Sequence, residues 1–434
     1  MTNNEVFHPN VTDVVLFTDP ADGIAYVPDE VMFRGADATL AADLGFSGEP
    51  LNEHEEARGD RGWWRASGVD DPIAAVDMLR AEGIEAQPNH VMFVHAGCPP
   101  HPANPVGANP LGANPLGANP LGANPLGANP LGANGYRSTA RPAADRELPE
   151  RVLQGPNPPP TVIILDTGIA ELEQRPPLLI PAMDNLVITG QAEVPDATIN
   201  LLAGAVSVPD GFLDMAAGHG TFIAGIIEQL APGCRIDVRH VVSPLGAATE
   251  ADVGTELQKI VNQLESGELE LPLIVNMSLG GQITDVAAHL EEKVAAAVAA
   301  DIVLVASAGN IGTCVAQFPA AYPGVIAVAA LGPNGPTPWT NYGDWVDACA
   351  WGADLVSTFF DNWNGDRATA SSVDPDEFSG WAKWSGTSFS TPVVVAAIAR
   401  EFVAGALTGP DAADRVLNAP FVPRLANLGT VVSI

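Results

Sequence analysis

The chain has 434 residues, 47% of them hydrophobic, which is enough to bury a sizeable core and longer than the ~100–200 residues of one ordinary domain. Fifty-two acidic against 19 basic residues give a formal charge of −33, so the surface repels nucleic acid and anionic membranes and excludes both as expected partners. "MTNNEVFHPN" has neither the basic start nor the apolar stretch of a secretory leader, and the apolar run from Val294 is broken by Asp301 and too short to cross a bilayer. The expectation is a soluble, cytoplasmic protein, with secretion by another route left open. Cys98, Cys234, Cys314 and Cys349 have no metal or redox spacing and are too few for a disulfide scaffold.

Taken in chain order, residues 1–97 read as a small α+β unit. "DVVLF" and "EVMFR" have strand character. "DPIAAVDMLRAEG" is a helix with Asp71 as N-cap and Gly83 at its end, and "IEAQPNHVMFVHA" returns to extended structure. His95, Cys98 and His101 in "HAGCPPH" offer three metal-ligand types but no fourth, so no metal site is expected there.

Residues 98–150 are rich in Pro, Gly, Ala and Asn. Six pentapeptide units of the type ANPLG occupy residues 103–132, with Asn, Pro and Gly at turn-forming offsets. One modest apolar side chain per unit cannot build a core. The tract is expected to be a linker, able to reach ~90 Å if its thirty repeat residues extend at polyproline-like rise.

Residues 151–434 alternate strands with helices. The strands are "TVIILD", "RIDVRHV", "LPLIVNMSL", "DIVLVASAG" and "GVIAVAAL". The helices are "GTFIAGIIEQL", "ADVGTELQKIVNQLES" and "DVAAHLEEKVAAAVAA". The alternation predicts a mainly parallel sheet covered on both faces, a three-layer α/β/α domain. Reactive groups in such folds collect at the carboxyl ends of the strands.

Three segments there carry chemistry. "VIILDTGI" ends a strand on Asp166. "AAGHGTFIAGII" frames His219 between glycines at a helix start, where the backbone can approach closely. "WSGTSFSTPVVVAAIA" puts Ser388 at the opening of an apolar helix, where amide N–H groups and the positive end of the dipole favour an oxyanion; Pro392 sits in the first turn. Each alone reads equally as a cap or turn. Together they set carboxylate, imidazole and hydroxyl at strand ends and helix starts of one domain.

"DTG", "GHGT" and "GTSFSTP" resemble the three signatures of the subtilisin-like serine proteases, and "VNMSLGG" and "VASAGN" match two more at fitting intervals. The resemblance covers roughly residues 160–405. It implies a serine endopeptidase acting on protein or peptide substrates, with Ser388 as nucleophile, His219 as general base and acid, and Asp166 orienting His219. It implies Asn310 as an oxyanion donor alongside the Ser388 N–H, and Ser278, Leu279 and Gly280 as an edge for an extended substrate. "AVDMLRAEGIEAQPNHVMFVHA" and "YVPDEVMFR" resemble the ferredoxin-like inhibitory propeptides of that family. Residues 1–97 are therefore expected to act as an intramolecular inhibitor, with the repeat tract of residues 98–150 as a tether, as a plain spacer left by repeat expansion, or as a docking site for a partner. Activity should fall as pH drops through roughly 6–7, since the base must be neutral.

Trp351 stands where the family commonly has proline, which leaves the turn there open. Asp196, Asp210 and Asp214 read as scattered loop acids, and no metal or other cofactor is expected. Cys314, close to Asn310, reads as a small buried apolar residue or a thiol near the site. The alternative function is a non-catalytic binding module whose cleft permanently holds a peptide or the first domain.

Overall fold

The computed structural model describes residues 16–17, 25–94, 134–135, 153–171, 188–193, 199–201, 205–207, 216–244, 246–283, 288–360, 363–364, 377–378 and 380–434. The expected boundaries at 97/98 and 150/151 lie outside these residues, as do His95, Cys98, His101, Asp196, Asp210, Asp214 and the ANPLG tract.

The N-terminal part is built on β1 (Ala25–Arg34), β2 (Trp63–Ser67), α1 (Pro72–Ala81) and β3 (Ala86–Val94). Helix α1 starts where the sequence requires: Asp71 Oδ1 accepts the Ala74 N–H at 3.0 Å, with Pro72 at the first helical position. With the short strand Glu49–Pro50 and helix Ala38–Asp43, the elements follow a βαββαβ order interrupted by one short extra helix, Glu53–Arg58, and the antiparallel sheet runs β3, β1, β2, Glu49–Pro50. This is ferredoxin-like topology. Val31 and Phe33 on one face of β1 pack with Val76 and Leu79 of α1, while Met32 between them packs with Trp63 of β2 and with Ala251 of the larger domain. Period-two alternation thus gives the sheet one face for its own helices and one for its neighbour.

In the larger domain the central strands are β4 (Thr161–Asp166), β5 (Ile188–Gly190), β6 (Arg235–His240), β7 (Leu273–Met277), β8 (Val303–Ser307), β9 (Val325–Gly332) and β10 (Ala348–Trp351). They form one parallel sheet in the order β10, β9, β8, β7, β4, β6, β5. A C-terminal antiparallel pair, Arg424–Leu425 with Gly429–Val431, continues it beyond β10. Val162 and Ile164 face α2 (His219–Leu230) and α3 (Thr387–Val403). Ile163 and Leu165 face α4 (Glu250–Ser266) and α5 (Ala288–Ala299) in a second core. Strands buried on both faces explain the unbroken apolar runs in the sequence.

Two pairings join segments far apart in the chain. Asn134–Gly135, inside the stretch expected to be linker, pairs antiparallel with the strand Trp381–Trp384. Strand β3 also leaves its own sheet partner at one edge to run between two segments of the larger domain. It pairs antiparallel with Ala247–Thr249 on one side and with Leu279–Gly280 on the other. No described helix is long and apolar enough to cross a membrane.

Candidate active site

Asp166 is the last residue of β4, and His219 is the first of α2; both are fully buried. Asp166 Oδ1 lies 2.7 Å from His219 Nδ1 and also accepts the Thr167 N–H at 2.8 Å. An ionised carboxylate only accepts, so the bond puts the proton on Nδ1 and leaves the lone pair on Nε2. Among the described residues, neither His219 Nε2 nor Asp166 Oδ2 has a hydrogen-bond partner. A buried polar atom left without a partner is costly, so each such atom calls for an explanation.

The flanking glycines are required by space. Gly218 adopts φ +81°, and a Cβ there would sit 2.1 Å from Phe359 Cε2; a Cβ on Gly220 would sit 2.2 Å from the Gly168 carbonyl oxygen. Trp384 stands edge-on to the His219 ring at 5.4 Å, and Phe389 lies tilted to it at 5.2 Å. Phe389 follows Ser388 directly, so the rings seat the start of α3 against the imidazole.

Ser388 is the second residue of α3 and is fully buried. Its Oγ donates to the Ser278 carbonyl at 3.0 Å, and the Ser278 hydroxyl donates back to the Ser388 carbonyl at 2.8 Å. Asn276 Nδ2 donates to the Ser278 hydroxyl oxygen at 3.0 Å. The Ser388 hydroxyl is therefore turned to the cleft edge and not to His219.

Asn310 Oδ1 accepts both the N–H and the hydroxyl of Thr387, at 3.0 and 2.9 Å. A backbone N–H can only donate, so this contact fixes the amide's orientation and leaves Nδ2 on its other side. Asn341 braces the same loop: its Nδ2 donates to the Ala308 carbonyl at 2.8 Å, and its Oδ1 accepts from Ile311 and Thr313, each at 3.1 Å. Leu279 and Gly280 are buried under β3, facing Val94 and Phe93. The adjoining Gly281 exchanges backbone hydrogen bonds with Phe318, both at 2.9 Å.

Of the residues expected at the site, Asp166 and His219 are joined directly, Ser388 and Ser278 are joined to each other, and Asn310 is tied to the residue before Ser388. Thr387, Trp384, Phe389, Asn341 and Glu193 carry structural parts that sequence reading missed. Only Thr387 had a signal, as one of the hydroxyls of the "GTSFSTP" cluster. Cys314 is exposed and unbridged, contrary to the buried reading. Trp351 is 44% exposed and its Nε1 donates to the Ala353 carbonyl at 2.6 Å, so the turn closes without proline. No cluster able to hold a metal occurs among the described residues.

Fold and site define a three-layer α/β protein with a buried aspartate–histidine pair at the carboxyl ends of the strands and a helix-start serine beside it. The model of the Subtilase family matches residues 160–413, more than half of the sequence, and the chain belongs to that family. It is similar to the "Thermophilic serine proteinase" of a Bacillus species, 33% identical over 187 residues, which are 41% of this chain and 40% of that protein. The "Thermostable alkaline protease" of Halalkalibacterium halodurans is 32% identical over 186 residues, 41% of this chain and 44% of that protein. The match thus spans less than half the length of these relatives. A solved structure of a cold adapted subtilisin-like serine proteinase covers 62% of this chain and 87% of its own, at 21% identity and TM-score 0.45.

Proposed function

We propose that the chain is a serine endopeptidase that hydrolyses peptide bonds through Asp166, His219 and Ser388 and is restrained by its own N-terminal domain. The observation that carries this is the buried 2.7 Å Asp166–His219 bond, which leaves Nε2 with a lone pair and no partner. In the proposed cycle, Ser388 rotates away from the Ser278 carbonyl and gives its proton to His219 Nε2 as it attacks the substrate carbonyl. Asp166 stabilises the imidazolium, which then passes the proton to the leaving amine. The Ser388 N–H, at the positive start of a 17-residue helix, and Asn310 Nδ2 receive the oxyanion. Water then releases the acyl group by the reverse route.

Restraint is supported by β3. Its end, Phe93–Val94, pairs with Leu279–Gly280 directly beside Ser278, whose carbonyl holds the Ser388 hydroxyl. An extended strand there occupies the edge an extended substrate would use. The domain also caps the larger one: Asn89 Oδ1 accepts the Ala251 N–H at 3.2 Å and Gln87 Oε1 the His289 N–H at 3.3 Å, at the starts of α4 and α5.

The second reading, a binding module with a permanently filled cleft, is favoured by the Ser388 hydroxyl bonding to Ser278 instead of His219. A fluorophosphonate probe separates the two. The endopeptidase is expected to be labelled on Ser388, more rapidly once the N-terminal domain has been removed by limited proteolysis, and Ser388→Ala is expected to abolish labelling. Wild-type protein that stays unlabelled after that removal would establish the binding module.

A further inference from the structure

Glu193 is 3% exposed, and a carboxylate that deeply buried is costly unless it is held by donors. Its Oε1 accepts the N–H of Gly218 at 2.7 Å, the residue immediately before His219 and the N-cap of α2. Its own N–H donates to the Ile169 carbonyl at 2.9 Å, and the Ile169 N–H donates to the Gln191 carbonyl at 3.0 Å, just past Asp166. Residue 193 is therefore bound by its backbone to the exit of the Asp166 strand and by its side chain to the entrance of the His219 helix.

The geometry explains why the start of α2 is held by side chains from elsewhere in the chain. An N-cap side chain ordinarily satisfies the first amides of a helix. Position 218 cannot carry one, because its φ is +81° and the Phe359 ring fills the place of a Cβ. The helix-start amides are met from elsewhere: Thr167 Oγ1 accepts the Gly220 N–H at 3.1 Å, and Glu193 takes the N–H of Gly218 itself. A neutral acceptor would satisfy the hydrogen bond, yet the residue is acidic. The positive end of α2 opposes a positive charge on His219, and an anion there offsets it.

We infer that Glu193 is a positioning residue for His219, seating the start of α2 through Gly218 and favouring the imidazolium with its negative charge. The inference rests on the reading of Asp166 and His219 as a proton-transfer pair. Among the described residues, the titratable or charged side chains along these strand ends include Asp166, Glu171, Glu193, His219, Arg239 and His240, with Arg239 and His240 in register with Leu165 and Asp166 on β6.

The test is a ring-proton NMR titration of His219 in the full chain carrying Ser388→Ala, which removes self-cleavage and needs no turnover. Glu193→Gln keeps an acceptor for Gly218 and is expected to retain the Asp166-bonded Nδ1–H resonance. It is expected to lower the titration midpoint of His219 by about one unit, the scale of a nearby charge in a partly screened site. In a background with Ser388 intact, it is expected to lower kcat about tenfold with KM unchanged. Glu193→Asp keeps the charge and should restore the midpoint. A Gln variant with the resonance retained and the midpoint unmoved would overturn the inference. If the Gln variant does not fold, Glu193→Asp decides: an unmoved midpoint supports the charge role, and a shift of about one unit overturns it. Because the titration needs no catalysis, an unlabelled wild-type Ser388 would strike the proteolytic reading alone.

Discussion

Two buried polar regions of this molecule are built on opposite plans. At the Asp166–His219 pair, bonding capacity is left over: Nε2 and Oδ2 have no partner among the described residues. At the contact between the two domains, the carboxylates and cations are matched, although both ring nitrogens of the buried His289 lack a hydrogen-bond partner among the described residues. Lys293 Nζ meets Glu55 Oε1, and both side chains are at most 1% exposed. Glu292 receives Arg58 and Arg34, and Arg34 lies 4.3 Å over the Trp63 ring. Glu250 takes His90 at 2.7 Å, Gln87 at 2.7 Å and the Leu290 N–H at 3.2 Å. The first region has groups available to a reactant, and the second spends its groups on holding two surfaces together.

The most severe break is expected at the site. Ser388→Ala should remove activity and labelling entirely, and Asp166→Asn should lower kcat about 10⁴-fold by losing the tautomer, with the fold intact by circular dichroism. Asn310→Ala should lower kcat about 10²–10³-fold with KM little changed, in steady-state kinetics on a peptide substrate.

The matched region should respond in stability. Lys293→Met leaves the Glu55 carboxylate buried without its cation and is expected to cost about 3–5 kcal/mol in urea melts of the full chain; adding Glu55→Gln should recover much of it. Acid should loosen the same contact. Burial raises the Glu292 carboxyl, but Arg58, Lys293 and Arg34 outweigh it and hold it at about 2. Burial also pushes His289 down to about 4. Both folded values lie below the unfolded ones, so the folded state binds fewer protons and is favoured at higher pH. The stability contributed is fully present above about 6.5, and it is lost as pH falls, first through His289 and then through Glu292, down to about 2. Melts between pH 7 and pH 3 should follow that course.

The smallest effect sharpens the comparison from a third place. Burial pushes Glu228, near the end of α2, up to about 7, with only the long Gly233 N–H contact at 3.4 Å against it. Its folded value lies above the unfolded one, so its protonated form favours folding below about 4.5 and that advantage is lost as pH rises through 7. Glu228→Gln should therefore stabilise the protein at pH 8 by on the order of 2–3 kcal/mol and have little effect at pH 4, in melts at the two values.

Much of the architecture was legible because its signals are local. "TVIILD" becomes β4 over Thr161–Asp166, and "ADVGTELQKIVNQLES" becomes α4 with Thr249 as its cap, accepting the Asp252 N–H at 3.1 Å. Gly218 and Gly220 were legible as places of close approach, and Asp71 as a cap. Glu193 was not, because a single Glu in an acid-rich chain has no periodicity or neighbour to mark it. Trp384 and Asn341 were silent for the same reason. The edge formed by Leu279 and Gly280 was expected from resemblance, but that it would be met by Val94 and Phe93 depends on a register between segments far apart in the chain.

The sequence by itself determined the order of strands and helices, the two-faced burial of the parallel sheet, and the placing of Asp166, His219 and Ser388 at element ends, since periodicity and capping act over a few residues. Tertiary structure alone decided that Glu193 holds the Gly218 N–H at the start of the His219 helix, that the Ser388 hydroxyl turns to Ser278, and that β3 lies between Ala247–Thr249 and Leu279–Gly280. Each of these joins residues at least 25 positions apart, and their meeting is fixed by packing and register across the whole fold.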